Sequence, residues 1–203
     1  MERTVAIQKL QQIIGQDLRK LATKFGVTVF RDGKKNKGWA GHVIERYLGL
    51  PLNSAQSPNF GSWELKVIPL KYLSNGTLKI KETMAITMID AEYVKNTPFE
   101  NSHLLAKLQK AVIAARIWTS KEEEESKLYT VTAFNLDNPA IYNQVREDYE
   151  SVRNTIITRG FSALTGRMGV YIQPRTKGPG HGSISRAFYA RVPFLTKVVF
   201  PNL

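Results

Sequence analysis

The chain has 203 residues, with 29 Lys and Arg against 17 Asp and Glu, a formal net charge of +12 at pH 7 and 42% hydrophobic residues. A chain of this length can bury roughly 70% of its unfolded surface without a metal or disulfide staple, and it is too apolar to be disordered. Cysteine is absent, which excludes a disulfide scaffold, a thiolate metal site and a cysteine nucleophile. No stretch reaches the ~18 apolar residues of a membrane span, and charges interrupt the N-terminal apolar residues, so a cytoplasmic protein without a membrane partner is expected.

Ile7, Leu10, Ile14, Leu18 and Leu21 recur every three or four residues, so residues 4 to 25 read as one amphipathic helix closed by Gly26. Lys34, Lys35 and Lys37 follow in a loop, before a helical stretch whose Trp39, Val43 and Tyr47 share a face. Residues 63 to 70 and 77 to 90, joined by Ser74-Asn75-Gly76, predict an antiparallel hairpin. A helix from Ser102 to Ala111 and a strand through Trp118 come next, and the run Glu122 to Glu125 reads as a solvated turn. Asp137-Asn138-Pro139 starts a helix whose Tyr142, Val145, Tyr149, Val152 and Ile156 form a buried stripe. Short strands are expected near 169 to 173, 186 to 192 and 196 to 200.

The charge is unevenly placed. Residues 151 to 203 hold eight basic side chains and no acid, interleaved with Tyr171, Phe188, Tyr189 and several glycines. That composition suits a polyanion, gripped by direct phosphate contacts and counterion release.

Trp63-Glu64-Leu65-Lys66 carries the chemistry. On a strand Glu64 and Lys66 project to one face and Leu65 to the other. A carboxylate so placed can hold Mg²⁺ against a scissile phosphate, and a lysine beside it can position attacking water and offset developing charge. A surface strand with an ion pair would show the same spacing. Glu45, on the helix before this strand, is a further candidate acid, whereas residue 59, five before Glu64, is a neutral asparagine.

Taken together, KGWAGHVIERYLG (37–49), PNFGSWELKVIPL (58–70) and FENSHLLAKLQK (99–110) resemble the MutH mismatch-repair nuclease family and its type II restriction-endonuclease relatives. The resemblance implies a mixed α/β (α+β) PD-(D/E)xK core, with two lobes around a DNA cleft. A catalytic lobe over residues 1–118 and a basic recognition lobe over 119–203 are expected. It also implies Mg²⁺-dependent hydrolysis of double-stranded DNA at a short site such as GATC. Matched by motif, Lys37 and Glu45 border the active site, Asn59 stands at the usual first catalytic Asp, Glu64 and Lys66 are the paired motif residues, and Lys107 is an active-site lysine. Asn59 and Glu64 are the implied metal ligands. GVYIQPRTK resembles the recognition segment, placing Arg175 and Lys177 at DNA with Thr176 where a proline is usual, and Tyr189 is the candidate base-contacting tyrosine. Asn59 leaves two readings, an endonuclease impaired by a near-isosteric change or a catalytically silent DNA-binding module. A MutL-like activator or a companion methyltransferase is the implied protein partner, and the implied assembly is a monomer or a DNA-induced dimer.

Overall fold

The computed structural model describes residues 1–49, 58, 61–178 and 184–203, so Asn59 lies outside the described residues. The segment expected as one N-terminal helix is two, α1 (Arg3–Gln11) and α2 (Leu18–Lys24). Gly15 breaks it at φ +83°, a conformation that glycine adopts without strain. The freed backbone docks on a later segment, with Gly15 N–H donating to Leu128 O at 2.7 Å and Leu18 N–H to Ser126 O at 2.9 Å. Asp17 then caps α2 by accepting from Arg19 N–H.

The expected lysine loop is a small hairpin, β1 (Phe30–Arg31) and β2 (Lys34–Lys35), turning through Asp32 and Gly33 at φ +51° and +70°. Positive φ at both turn residues matches the strand twist. Helix α3 (Trp39–Tyr47) follows, burying Trp39, Ala40, Val43 and Ile44.

Strand β3 (Glu64–Tyr72) pairs antiparallel with β4 (Leu78–Ile80), as the turn signal predicts. The arm expected over 77 to 90 is broken, however. Polar Lys81-Glu82-Thr83 interrupts it, and β5 (Met84–Ile89) joins a different sheet. Helices α4 (Ala91–Asn96) and α5 (His103–Leu108) lead into β6 (Lys110–Ile117), which lies parallel to β3. Strand β7 (Leu128–Asn135) then pairs antiparallel with β6, completing a four-stranded mixed sheet in the order β4-β3-β6-β7.

Strand β6 is apolar almost throughout because both faces of the sheet are covered. Ala111, Ile113 and Ala115 pack with α5 and the long helix α6 (Pro139–Arg159), while Val112 and Ala114 pack with α1, α2 and α3. The same division sorts β3, with Ile68 and Leu70 in the first cluster and Leu65 in the second. Each such buried Leu, Ile or Val contributes about 1.5–3 kcal/mol of transfer free energy.

Asn138 caps α6 with its side-chain oxygen, and the expected stripe is buried at Val145, Tyr149, Val152 and Ile156. Strand β8 (Ile172–Thr176), three residues later than expected, and β9 (Arg186–Ala190) form an antiparallel sheet in the order β5-β9-β8. The expected last strand is helical instead, with turns over Val192–Phe194 and Leu195–Val199. Pro193 suits a helix start, and Leu195 and Val199, four apart, are both buried. Strands from before and after residue 118 share both larger sheets, β7 with β6 and β5 with β9. No helix among the described residues is long and apolar enough to cross a membrane.

Candidate active site and basic cleft

Strand alternation puts Glu64 and Lys66 on one face of β3, and the two side chains meet, Lys66 Nζ lying 2.6 Å from Glu64 Oε1. Lys107, in the last turn of α5, reaches the same oxygen at 3.6 Å. Ser102 sets where that helix begins, its hydroxyl accepting from Leu105 N–H at 3.1 Å. Parallel pairing places Glu64 opposite Ala111, a small side chain on the same face of the sheet. The Glu64 side chain is 1% exposed, so its charge is held by ammonium partners rather than by water. Lys66 is further tied by donating to Ile86 O at 3.3 Å, which bridges it to β5.

Cations outnumber acids around this pair. Burial lowers the Lys107 pKa, Glu64 opposes that fall and Lys66 adds to it. Burial also lowers the Lys177 pKa, and repulsion from Lys66 and Lys107 lowers it further. Three ammonium groups therefore share a field that one buried carboxylate only partly offsets. An added anion relieves it.

The cluster opens through Lys66 onto a cleft of about 840 Å³. Its lining brings together Lys35 from β2 and Lys37 from the loop after it, Lys66 from β3, Arg175 and Lys177 from β8 and its following loop, and Tyr189 from β9, with Glu82 the one acid among the lining residues described. Arg175 and Tyr189 are diagonal neighbours across β8 and β9. The guanidinium carbon sits 5.6 Å from the tyrosine ring centre, and Arg175 Nη1 donates to Thr83 Oγ1 at 2.8 Å. Burial raises the Tyr189 pKa; Arg175 opposes the rise and Glu82 supports it.

The residues singled out in the sequence thus fall into two adjoining groups. Glu64, Lys66 and Lys107 are in ion-pair contact; Lys37, Lys66, Arg175, Lys177 and Tyr189 line the cleft. Glu45 stands on α3, which packs against β3, and is half-buried. His103, one helical turn before Lys107 on α5, is stacked on Tyr93, ring centres 4.0 Å apart. Among the described residues no three carboxylates and imidazoles gather into a metal cage.

Three residues at or beside the cleft escaped the sequence reading. Glu82 and Thr83 fall inside the strand expected over 77 to 90, and only the sheet switch between β4 and β5 brings them to the cleft. Glu123 is a correction: its run was expected to be solvated, and its neighbours Glu122, Glu124 and Glu125 are exposed, yet Glu123 is 0% exposed. It accepts from Trp39 Nε1 at 2.7 Å and Arg116 Nη2 at 3.0 Å, and from Lys35.

The family model described as "DNA mismatch repair enzyme MutH" matches residues 48–154, more than half of the chain. The MutH protein of Vibrio campbellii is 26% identical over 219 aligned residues, covering 97% of this chain and 92% of the relative. The MutH of Klebsiella pneumoniae is 27% identical, covering 91% of this chain and 79% of the relative, and that of an Escherichia coli strain is 26% identical, covering 91% and 80%. Among solved structures, the complex of the restriction endonuclease MvaI with its cognate DNA overlaps 98% of this chain and 97% of that one, at 12% identity and a TM-score of 0.40. An overlap that loose lends the assignment no weight. On the extent of the family match, with a mixed α+β sheet carrying Glu64 and Lys66 on β3, the chain belongs to the MutH family and has its PD-(D/E)xK-type fold.

Proposed function

We propose that the chain is a sequence-specific DNA endonuclease that hydrolyses phosphodiester bonds with Mg²⁺ at a short site such as GATC. The observation that carries this reading is the Glu64–Lys66–Lys107 cluster opening on a cleft lined by five cations. A duplex backbone is the polyanion that such a cleft suits.

The donor chemistry fits a hard divalent cation. Mg²⁺ is commonly held by one or two carboxylates together with substrate phosphate oxygens and water, and Glu64 supplies one carboxylate at the site. Asn59, at the family's first acid position, would add a neutral amide oxygen. Bound there, Mg²⁺ would polarise the scissile phosphate and lower the pKa of a coordinated water. The protein's own groups do the rest. Lys66, fixed by Glu64 and Ile86 O, orients the attacking water and offsets charge building on phosphorus. Lys107 holds Glu64 in place, and Glu45 supports the site from α3. Lys37 and Lys177 grip the backbone, while Arg175 reads guanine and Tyr189 packs beside the base that it contacts. In this reading the segment 119–203 supplies base readout and 1–118 supplies the chemistry. The family match favours a role in mismatch repair; in this reading the partner is a MutL-like activator rather than a companion methyltransferase, and the chain acts in the cytoplasm as a monomer or DNA-induced dimer.

Asn59 favours a second reading, a silent DNA-binding module, because an amide oxygen brings no negative charge to the metal. One experiment separates the two. Losing a single electrostatic partner of a transition state typically costs about 10²–10³-fold in rate, so Asn59→Asp is expected to raise Mg²⁺-dependent cutting of GATC plasmids by a factor of that order. Unmethylated, hemimethylated and fully methylated plasmids report the methylation dependence. If the variant binds duplex DNA and cuts none of them with Mg²⁺ or Mn²⁺, the silent module stands and the endonuclease is rejected.

A further inference from the structure

The acidic run at residues 122–125 sends one member inward. Glu123 takes the left-handed backbone conformation at φ +47°, which glutamate rarely adopts, and its carboxylate is closed off from water by three donors from three parts of the fold. Arg116 comes from β6, Trp39 from the first turn of α3, and Lys35 from the small hairpin. The Arg116 guanidinium also donates to Ser126 Oγ at 2.8 Å and lies 5.1 Å from the Trp39 ring centre. Arg19 of α2 lies over both Phe30 and Trp39, at 5.9 and 6.0 Å, so the hairpin is held from a second side. Burial would raise the Glu123 pKa, but hydrogen bonds from Arg116 and Lys35 more than cancel that and hold it below the ordinary glutamate range. Lys35, Lys37 and Gly38 form one wall of the cleft.

We propose that Glu123 is a positioning residue for DNA: by holding Lys35 against Arg116 and Trp39, it fixes the hairpin and the Lys37 loop as a rigid basic rim of the cleft. This rests on the reading of the cleft as a DNA site. It makes a prediction of unusual sign. Deleting an acid from a protein that binds a polyanion should strengthen binding, because net repulsion falls. Deleting Glu123 should weaken it, because the rim cations lose their fixed place.

The test uses the full chain, a fluorescein-labelled GATC duplex and anisotropy titrations without divalent metal, between about 50 and 200 mM salt. Each lost phosphate contact reduces the slope of log affinity against log salt by about one. Glu123→Gln is expected to bind several-fold more weakly, with that slope reduced by about one. Glu124→Gln, which removes the same charge from the exposed neighbour, is expected to bind as the unaltered chain does or more tightly. Equal behaviour of the two variants overturns the proposal. Should Glu123→Gln not fold, Lys35→Gln carries the test. It is expected to reduce the slope by about two, since Lys37 loses its position along with the Lys35 charge, and a reduction of one or less overturns the proposal. If the unaltered chain binds no duplex, the DNA reading and this inference fall together; binding with no effect of either variant rejects this inference alone.

Discussion

Replacing Asp148 by asparagine exchanges one carboxylate oxygen for an NH₂ group in a place built only to accept. The Asp148 side chain projects from the middle of α6 and the residue is 3% exposed. Its Oδ1 accepts from Val170 N–H at 2.8 Å and from Gln144 Nε2 at 3.2 Å, and its Oδ2 accepts from Tyr171 and Ile172 N–H, both at 2.7 Å. These three consecutive amides lead into β8, so one carboxylate sets where the strand bearing Arg175 begins. In the asparagine variant the cheaper orientation puts nitrogen at the Oδ1 position, where Gln144 can turn its own oxygen towards it. Val170 N–H is then left facing a donor. A buried unsatisfied donor costs about 1–3 kcal/mol, and the two surviving bonds each lose roughly 0.5–1 kcal/mol as their acceptor becomes neutral. The expected destabilisation is about 2–5 kcal/mol, which for a chain of this size lowers Tm by roughly 4–20 °C. Urea unfolding followed by far-ultraviolet circular dichroism measures it, with the midpoint falling at constant slope. A loss under about 1 kcal/mol would mean that the amides of residues 170–172 find other acceptors, and that Asp148 does not organise the strand.

What was legible in the sequence, and what was not, divides along a physical line. Strand alternation at Glu64 and Lys66, the cap at Asn138 and the stripe from Val145 to Ile156 are local regularities, and each appears as expected. So does the strand expected through Trp118, found as β6, whose apolar run follows from burial on both faces. Expectation failed where a distant segment decided the outcome. The N-terminal helix breaks at Gly15 because residues 126–128 supply its hydrogen-bond partners, and β5 leaves its hairpin for a sheet completed a hundred residues later. Val198 and Val199 suggest a strand by propensity, but tertiary packing overrides it. Charged residues followed the same rule. Glu123 carries no local mark that separates it from its exposed neighbours. Asp148 does carry one: it lies three residues after Val145 and four before Val152, an acid inside the apolar stripe, where burial requires a dedicated set of donors.

Two further perturbations test this arrangement. Gly169 sits at φ +73°, and a Cβ there would lie 1.8 Å from Ile172 O and 3.1 Å from Asp148 Cγ. Gly169→Ala is therefore expected to destabilise by more than about 3 kcal/mol or to abolish soluble expression; a urea midpoint near that of the unaltered chain would refute the tight turn. The Glu123 cluster predicts a pH signature. Its folded pKa lies below the ordinary glutamate value of 4.5, so the unfolded chain takes up the proton first as pH falls. The stabilisation from the ionised carboxylate is thus fully present above pH 4.5 and is lost as pH falls below it through the folded pKa. Glu123→Gln has no such proton to gain. Urea midpoints of the two proteins should differ most near neutrality and converge as the solution is acidified below 4.5. A gap that stays constant into strong acid would mean that the carboxylate's charge is not what holds the hairpin, and that a protonated carboxyl serves the three donors as well as an ionised one.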